Sequence, residues 1–553
     1  MHRIIVSLLV CLPLSAASSP PLLDILRDEL QRNFTVLKQK ADPPPYFMSY
    51  TVTDLESQIM SFSLGVTNDQ TKGHIRYLDI TVRVGSPKLD NYHASSGQRI
   101  RFTPGAIVPL DDVPDALRRK IWLETDRTYR LASRRFVEIK SNAESQVKAA
   151  DDSNDFSPEP AAVHEEQPPK LKYADEEWIS RLKKWSGNLA NNYGVLNSAV
   201  DLAVLRETKY LVSTEGTRLE TGRTFANIAI EARGKAQDGM DLETQETFQG
   251  SELSRLPKPE TIEAAVNRVG KDLSNLLKAP AAEPYIGPAV LSGRAAGVFF
   301  HEIFGHRVEG HRQKDESEGQ TFTKAVGTAV LPDFLSVTFD PTRKTIDNVD
   351  LNGYYTYDDE GVKAAPVTVV QNGVLKTFLL SRSPIAGFPQ SNGHGRRQVG
   401  MEVVSRQSNL IVDSTKKVSD QKLREMLIAE IKRQNKPYGL YFDQVTGGYT
   451  LTRRSNLQAF TVLPLIVYKV YPDGRPDELL RGVDIVGTPL SSFAKILATS
   501  DRVEVFNGQC GAESGAVPVS ASSPALLVSE IEVQKKEHSL DRPPLLSRPT
   551  ETP

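Results

Sequence analysis

The chain has 553 residues, more than one compact core usually holds, and this length predicts two or three domains. Lysine and arginine (67) nearly balance aspartate and glutamate (69), and the formal net charge of -2 argues against a surface built mainly to bind nucleic acid. A hydrophobic content of 39% with 7% aromatic residues is ordinary for a soluble globular protein.

Residues 1–18 have the three parts of a secretory signal peptide. Arg3 makes the start basic, residues 4–14 form a short apolar run, and residues 15–18 are the small residues that suit a cleavage site. This run is too short for a transmembrane helix, and no later run in the sequence is long enough to span a bilayer. The sequence therefore predicts an exported protein, periplasmic or extracellular, without a membrane span.

Removal of the predicted signal peptide would change the number of cysteines in the protein. Of the two cysteines, Cys11 lies in the predicted signal peptide, so Cys510 would remain alone. A lone thiol in an exported protein is buried, paired between chains, reactive or bound to metal. Residues 506–515 are rich in glycine and predict a turn rather than an apolar element, which favours a functional thiol over a merely buried one.

The first half of the chain predicts one α/β domain in two parts. In the first part, residues 19–148, an amphipathic helix is followed by an antiparallel strand pair joined through residues 68–73 and then by a helix from about 114 to 148. Residues 149–172 are acidic and proline-rich without periodicity, which predicts a disordered loop or linker. Residues 173–280 supply further helices and strands as the second part of the domain.

The second half, residues 281–536, predicts a β-rich domain. Asn372-Gly373 between two apolar runs is the signal for a tight hairpin, and residues 460–471 read as a buried strand. Residues 423–431 predict a helix. The last stretch, 537–553, is rich in proline and predicts a disordered tail. The predicted fold class is thus α/β (α+β), with a helix-and-sheet domain before a sheet-dominated one.

One segment of this second domain concentrates histidines. His301 and Glu302 end an apolar run, His306 follows five residues after His301, and His311 five residues later. Neutral imidazole is the commonest protein ligand for zinc, and a neighbouring carboxylate suits a general base. The segment therefore suggests a metal site, although a buried helix with hydrogen-bonded histidines accounts equally well for the motif alone.

The spacing differs from the familiar H-E-x-x-H helix, in which both histidines share one face. Five residues along a regular α-helix turn the second imidazole roughly 140° away from the first. The two side chains can converge only if the helix ends or widens between them, and Gly305 is a residue type that permits such a break.

Taken together, an ordered series of motifs resembles the TldD/PmbA family of metalloproteases. The pieces that carry the resemblance run through roughly the last half of the chain: His301-Glu302-Ile303-Phe304-Gly305-His306 with Glu309-Gly310, Asp358-Asp359-Glu360-Gly361, Asn372-Gly373-Val374-Leu375-Lys376, Asn392-Gly393-His394-Gly395-Arg396-Arg397, Gly447-Gly448, and Cys510-Gly511 with Pro518-Val519. The first half is similar to the family only in its pattern of helices and strands.

The resemblance implies a site and a chemistry. By matching position, His301, His306 and Cys510 would bind one Zn²⁺ per chain, and Glu302 would be the catalytic carboxylate. His311 competes with Cys510 for the third position and ranks below it, because the resemblance gives His311 no role. Three protein ligands leave zinc a fourth position for water, whose proton the carboxylate would take.

The resemblance also implies substrates and partners. Members of this family act on unfolded or short peptides and work as dimers, some pairing a catalytic subunit with a sister that lacks the metal motif. This chain has the motif, so it resembles the catalytic kind, in a homodimer or in a heterodimer with a related subunit. Arg396 and Arg397 could bind a peptide carboxylate, but solvated or structurally paired arginines are the commoner case, and substrate-binding residues stay open.

The chain departs from the usual family pattern in two ways, and two other functional classes remain as alternatives. Usual family members are cytoplasmic, whereas this chain has the predicted signal peptide and the insert at 149–172. A cysteine hydrolase would use Cys510 as nucleophile and His301 or His306 as base, and would need neither a metal nor Glu302. A binding or scaffold protein would keep the zinc site for stability alone.

Overall fold

The computed structural model describes residues 21–94, 99–143, 151–166, 169–455, 459–487, 492–536, 542–544 and 546. The fold is mixed α/β and rich in sheet, as the sequence predicts. Residues 1–18, the predicted signal peptide, lie outside the described residues, as does the predicted tail apart from 542–544 and 546.

Seven α-helices occur in the described residues: α1 (Leu22–Lys40), α2 (Pro114–Ala143), α3 (Glu176–Ala190), α4 (Pro259–Leu276), α5 (Gly293–Ile303), α6 (His311–Lys314) and α7 (Asp420–Arg433). Two short 3-10 turns accompany them, at Leu253–Arg255 and Gly305–Val308.

An eight-stranded sheet organises the first domain. Its strands are β1 (Pro45–Ser63), β2 (Val66–Ser86), β3 (Leu89–Asp90), β4 (Ala106–Ile107), β5 (Val163–Glu165), β6 (Asn197–Ser213), β7 (Arg218–Lys235) and β8 (Asp241–Gly250). They lie in the order β3-β2-β1-β6-β7-β5, with β4 on β2 and β8 on β7. Because β1 pairs with β6 along most of its length, the parts of the chain before and after the insert form a single sheet.

The two faces of this sheet have different environments. Tyr50 and Val52 near the start of β1 pack under α1 and α2, and Met60 and Phe62 near its end pack under α3 and α4. Since side chains alternate across a strand, the intervening residues point to the opposite face, which lines cavities toward the second domain. One face therefore forms the core and the other faces the site described below.

A twelve-stranded sheet organises the second domain. The strands of this domain, with two additional two-stranded pairs, are β9 (Tyr285–Leu291), β10 (Leu335–Phe339), β11 (Thr345–Ile346), β12 (Val349–Asp350), β13 (Val367–Gln371), β14 (Val374–Leu375), β15 (Gly395–Arg396), β16 (Val404–Ser405), β17 (Asn409–Ser414), β18 (Lys417–Val418), β19 (Gly439–Thr450), β20 (Phe460–Val470), β21 (Glu478–Leu480), β22 (Val483–Gly487), β23 (Ile496–Ala512) and β24 (Gly515–Lys535). Strands β24, β22, β20, β19 and β9 pair in a closed ring, because β9 also pairs with β24. Helix α5 follows β9 and packs against β19, β23 and β24.

The first strand pair turns earlier than the sequence predicts. The hairpin closes at Leu64 and Gly65, both with positive φ (54° and 81°), and not through residues 68–73, which lie inside β2. Positive φ at both central positions gives the tight turn that matches the strand twist. The polar residues 68–73 misled the prediction because they lie in an exposed part of a long strand.

The prediction of a disordered linker at 149–172 is wrong for residues 151–166. Phe156 is buried, 4.7 Å from the ring of Phe47, and the guanidinium groups of Arg83 and Arg382 each lie 4.0 Å from its ring centroid. Residues Val163–Glu165 pair with β7 as strand β5. A single aromatic anchor and a short edge strand leave no periodic pattern, so composition alone could not reveal this packing.

Other predictions for the second domain are confirmed. The hairpin at Asn372-Gly373 has positive φ at both residues (48° and 78°), as the Asn-Gly signal requires. The predicted helix at 423–431 lies within α7, and the predicted strand at 460–471 corresponds to β20.

Candidate metal centre

Helix α5 carries His301 and Glu302 in its last turn and is buried along nearly its whole length. Ser292 caps its N-terminus, because the Ser292 hydroxyl accepts a hydrogen bond of 3.2 Å from the N–H of Ala295. A Cβ atom at Gly297 would lie only 2.7 Å from the carbonyl oxygen of Ala521 on β24. The missing side chain lets the helix lie directly on the strand.

The helix breaks between the two histidines of the motif. It ends at Ile303, and the 3-10 turn Gly305–Val308 carries His306. This change of winding brings the two imidazole centroids within 5.1 Å of each other. A Cβ atom at Gly305 would lie 1.9 Å from Oε1 of Gln407, so glycine is needed here for space and not for a left-handed backbone conformation.

The thiol of Cys510 completes a group of three potential ligands. Its Sγ atom lies 3.2 Å from Nε2 of His301 and 3.4 Å from Nε2 of His306. The three ligand atoms lie within 4.8 Å of one another, and all three residues are buried. Cys510 lies in strand β23, paired with Val517 on β24, whereas the sequence predicts a turn at this position.

Glu302 lies beside this group. Its Oε2 atom is 3.8 Å from Nε2 of His306. Gly448 on β19 packs against it, since a Cβ atom there would lie 2.7 Å from Cγ of Glu302 and 2.8 Å from the carbonyl oxygen of Thr461. Burial raises the pKa of Glu302 above its ordinary value, against the lowering effect of His301 and His306. A carboxylate with a raised pKa is suited to accept and return a proton.

The group is strongly coupled electrostatically. Burial acts to raise the pKa of Cys510, but the neighbouring imidazoles and Arg406 outweigh burial and hold this pKa well below its usual range. Burial acts to lower the pKa of His306, and the thiolate and Glu309 outweigh it, so this pKa is raised. The pocket therefore favours a thiolate, which is the form of cysteine that binds metals.

Two residues that the sequence analysis did not assign to the site contact the histidines. The Gln407 side-chain amide donates to the carbonyl oxygen of His301 at 3.2 Å. Nδ1 of His306 donates to Oε2 of Glu309 at 3.2 Å. Glu309 follows His306 by three positions, so spacing could have suggested it, whereas no sequence signal connects Gln407 with a histidine about a hundred residues away.

His311 does not join the group of three. It is buried at the start of α6, where its Nε2 atom lies 3.6 Å from Oε2 of Glu513. Burial lowers the pKa of His311 below its ordinary value, against the raising effect of Glu513. The structure thus separates the third histidine of the motif from the first two.

Arg396 and Arg397 lie near the site but are engaged in the protein. Nη1 of Arg396 donates to the carbonyl oxygen of Gln407 at 2.6 Å, and its guanidinium lies 4.8 Å from the ring centroid of Tyr355. Nη2 of Arg397 is 3.8 Å from Oδ2 of Asp79. Both arginines line a cavity of about 580 Å³.

A second cavity, of about 450 Å³, reaches the potential ligands. His301 and Glu302 line it together with residues of the first sheet, among them Phe225 and Asn227. Leu205 and Gln509 line both this cavity and the one that contains the arginines, so the two cavities adjoin. The site therefore lies between the two domains, with space beside the carboxylate for an extended ligand.

Comparison with known proteins identifies the second domain. Residues 285–535 match the family model described as the PmbA/TldA metallopeptidase C-terminal domain. A protein named "Metalloprotease" from Methanothermobacter thermautotrophicus is 26% identical over 336 residues, which are 60% of this chain and 68% of that protein. A "Zinc metalloprotease TldD homolog" from Saccharolobus solfataricus is 27% identical over 265 residues, 48% of this chain and 55% of the relative.

The solved structure of TldE from Thermococcus kodakarensis has a similar fold over both domains. The TM-score is 0.61 at 14% sequence identity, with 92% of this chain and 100% of that chain covered. The matches define the class: at the level of the family this is a metallopeptidase. The second domain, residues 285–535, is that of the TldD/PmbA family. Among the described helices, none combines the length and apolar character needed to cross a membrane.

Proposed function

We propose that this chain is an exported, zinc-dependent metallopeptidase that hydrolyses peptide bonds of unfolded or short peptides with a metal-activated water. The observation that carries the proposal is the convergence of His301, His306 and Cys510, with Glu302 beside them. His301 and Glu302 also line a cavity between the domains. The relative named "Zinc metalloprotease TldD homolog" supports the same chemistry.

The three side chains fit a zinc ion. In a tetrahedral zinc site, metal–sulfur bonds of about 2.3 Å and metal–nitrogen bonds of about 2.0–2.1 Å put sulfur and nitrogen roughly 3.5 Å apart. The observed separations from Cys510 Sγ are 3.2 Å to His301 and 3.4 Å to His306. Two imidazoles and one thiolate also form the kind of nitrogen and sulfur donor set that zinc prefers.

Each residue then has a defined role. His301, His306 and Cys510 would hold one zinc ion per chain. The bound ion would lower the pKa of a water molecule and polarise the scissile carbonyl. Glu302, whose pKa is raised by burial, would take the proton of that water and pass it to the leaving amine nitrogen. The adjoining cavities would hold the peptide on either side of the scissile bond.

The extracellular or periplasmic location rests on the sequence of residues 1–18 alone. Its test is N-terminal sequencing of the protein recovered from outside the cytoplasm of the producing cell. A mature start within a few residues of Ala17 would support export, and an intact Met1 would contradict it.

A dimer is part of the proposal. The fold similarity to a protein named TldE supports pairing with a related subunit, and a homodimer is the alternative. Sedimentation of the purified chain, alone and after co-expression with its related subunit, would distinguish the two arrangements.

A cysteine hydrolase remains the second candidate, because the low pKa of Cys510 and the contact with His301 are also what a thiolate nucleophile requires. Metal analysis of the purified protein, combined with digestion of an unfolded peptide before and after treatment with a chelator, separates the two. A zinc peptidase should contain about one zinc per chain, lose activity on chelation and regain it with Zn²⁺. Full activity in a metal-free protein would contradict the proposal.

A further inference from the structure

Glu309 occupies an unusual position between the two segments that supply the potential ligands. Its carboxylate is fully buried and accepts a hydrogen bond from Nδ1 of His306 at 3.2 Å. Nε of Arg312 donates to the same oxygen at 2.9 Å. Nε of Arg406, also fully buried, lies 3.4 Å from the other oxygen in an ion pair.

Arg406 continues from this carboxylate to the segment that carries Cys510. Its Nη2 donates to the carbonyl oxygen of Cys510 itself at 2.5 Å. Its Nη1 donates to the hydroxyl of Ser514 and to the carbonyl oxygen of Gly515, both at 2.8 Å. One guanidinium group thus binds the backbone of the thiol residue and both sides of the turn between β23 and β24.

Arg312 makes a parallel connection. It donates to both carboxylate oxygens of Glu513, at 2.7 and 2.9 Å, three residues beyond Cys510. Arg312 and Arg406 therefore both connect Glu309 with the β23–β24 turn. The histidine and the thiol, 204 positions apart in the chain, are joined through a single buried carboxylate.

We infer that Glu309, together with Arg406, is a positioning unit that presents His306 and Cys510 to the metal in a fixed geometry. The inference rests on the proposed function. A hydrogen bond from Nδ1 to a carboxylate fixes the tautomer of an imidazole, so its Nε2 keeps the lone pair that binds a metal. Arg406 holds the Cys510 backbone, so the sulfur stays within reach of that nitrogen.

The test is the zinc affinity of Glu309→Gln, measured on metal-free protein by competition with a chromophoric chelator. An amide carries no charge and holds the His306 N–H and both arginines less strongly, so the zinc affinity should fall by about 10- to 100-fold. The Co²⁺-substituted protein supplies a second readout, since its absorption bands report the ligand geometry, and these bands should shift in the variant.

Asp90→Asn is the matched control. Asp90 is equally buried, and its Oδ2 atom forms an ion pair with Nη1 of Arg83 at 2.6 Å. It lies in the first domain, away from the ligands. This change should lower the thermal stability of the metal-free protein and leave the zinc affinity and the Co²⁺ spectrum unchanged. A general loss of stability is thereby separated from a change at the metal ligands.

Arg406→Lys gives an independent arm should Glu309→Gln fail to fold. Lysine keeps the positive charge but cannot donate to Cys510, Ser514 and Gly515 with the same fork, so its zinc affinity should also fall. A folded variant of either kind with wild-type affinity and an unchanged Co²⁺ spectrum would overturn the inference. A wild-type protein that binds no zinc would instead overturn the proposed function on which the inference rests.

Discussion

The Sγ atom of Cys510 lies 3.2 Å from Nε2 of His301, although 209 positions separate the two residues in the chain. The contact exists because α5 lies directly on β24, and β24 pairs with the strand that carries the cysteine. A thiol and an imidazole from distant segments thus meet in a buried pocket.

Glu302→Gln should separate a catalyst from a structural metal site. Glutamine keeps the size and hydrogen bonding of the side chain but cannot accept the proton of an attacking water. Peptide hydrolysis should fall by about 10²–10⁴-fold, while zinc content and thermal stability remain close to wild type. Rates measured with one unfolded peptide at equal zinc occupancy would check this. An unchanged rate would mean that the metal is structural or that another residue is the base.

Cys510→Ser should lose metal and activity together. A hydroxyl is a poor substitute for a thiolate as a zinc ligand, so the site would keep only two good donors. Zinc analysis and peptide digestion of the same preparation provide the measurement. Full zinc occupancy combined with lost activity would instead support the cysteine hydrolase.

His306→Ala and His311→Ala form a matched pair within one motif. His306 lies 3.4 Å from the thiol, whereas His311 lies beside Glu513 and outside the ligand group. Zinc should be lost from the first variant and retained in the second, which should lose only about 0.5–3 kcal/mol of stability from its buried site. A His311→Ala protein without zinc would show that the ligand assignment is wrong.

Gly448→Ala should impair catalysis by displacing Glu302. The added Cβ atom would lie 2.7 Å from Cγ of Glu302, so the carboxylate must move, and a misplacement of this kind can lower kcat by about 10²-fold. Gly447→Ala is the control on the same strand, because a Cβ atom there meets nothing within 4 Å. Its kcat should stay near wild type. Equal kcat values in the two variants would contradict the steric argument.

Glu402→Gln should change how stability depends on pH. Burial raises the pKa of Glu402 from 4.5 to about 7, against the lowering effects of Arg397 and a hydrogen bond from Tyr92. Between these two values the folded state holds the proton that the unfolded state releases, so this residue lowers the unfolding free energy as pH rises, by up to about 3 kcal/mol.

Glutamine carries no titrating proton at this position and keeps an oxygen that accepts from Tyr92. The variant should therefore gain stability relative to wild type as pH rises from about 4.5 to about 7, with no gain below that window. Denaturant unfolding of both proteins at several pH values measures the difference. A difference that does not vary with pH would show that the group titrates normally in the folded state.

Local signals in the sequence were sufficient for several elements of the fold. The Asn372-Gly373 turn, the helix at α7 and the apolar strand β20 follow from short-range patterns, because turn chemistry and hydrophobic period act over a few residues. Local patterns fail for the insert at residues 149–172, because its packing depends on residues that are distant in the chain. Phe156 is held by Arg83 and Arg382 from distant parts of the chain, and no local pattern records those contacts.

In the candidate site, too, local sequence accounts for some features and long-range packing accounts for the others. The chemical groups can be read from the sequence, namely the histidines, Glu302 and a lone cysteine, as can the motif order that resembles the family. Tertiary structure decided which of them meet. A 3-10 turn after α5 turns His306 back toward His301. Because Gly305 has no side chain, Gln407 can pack directly against this turn. Backbone winding and strand pairing over two hundred residues bring His306 and Cys510, and not His311, close to His301. The spacing of these residues along the chain does not encode that arrangement.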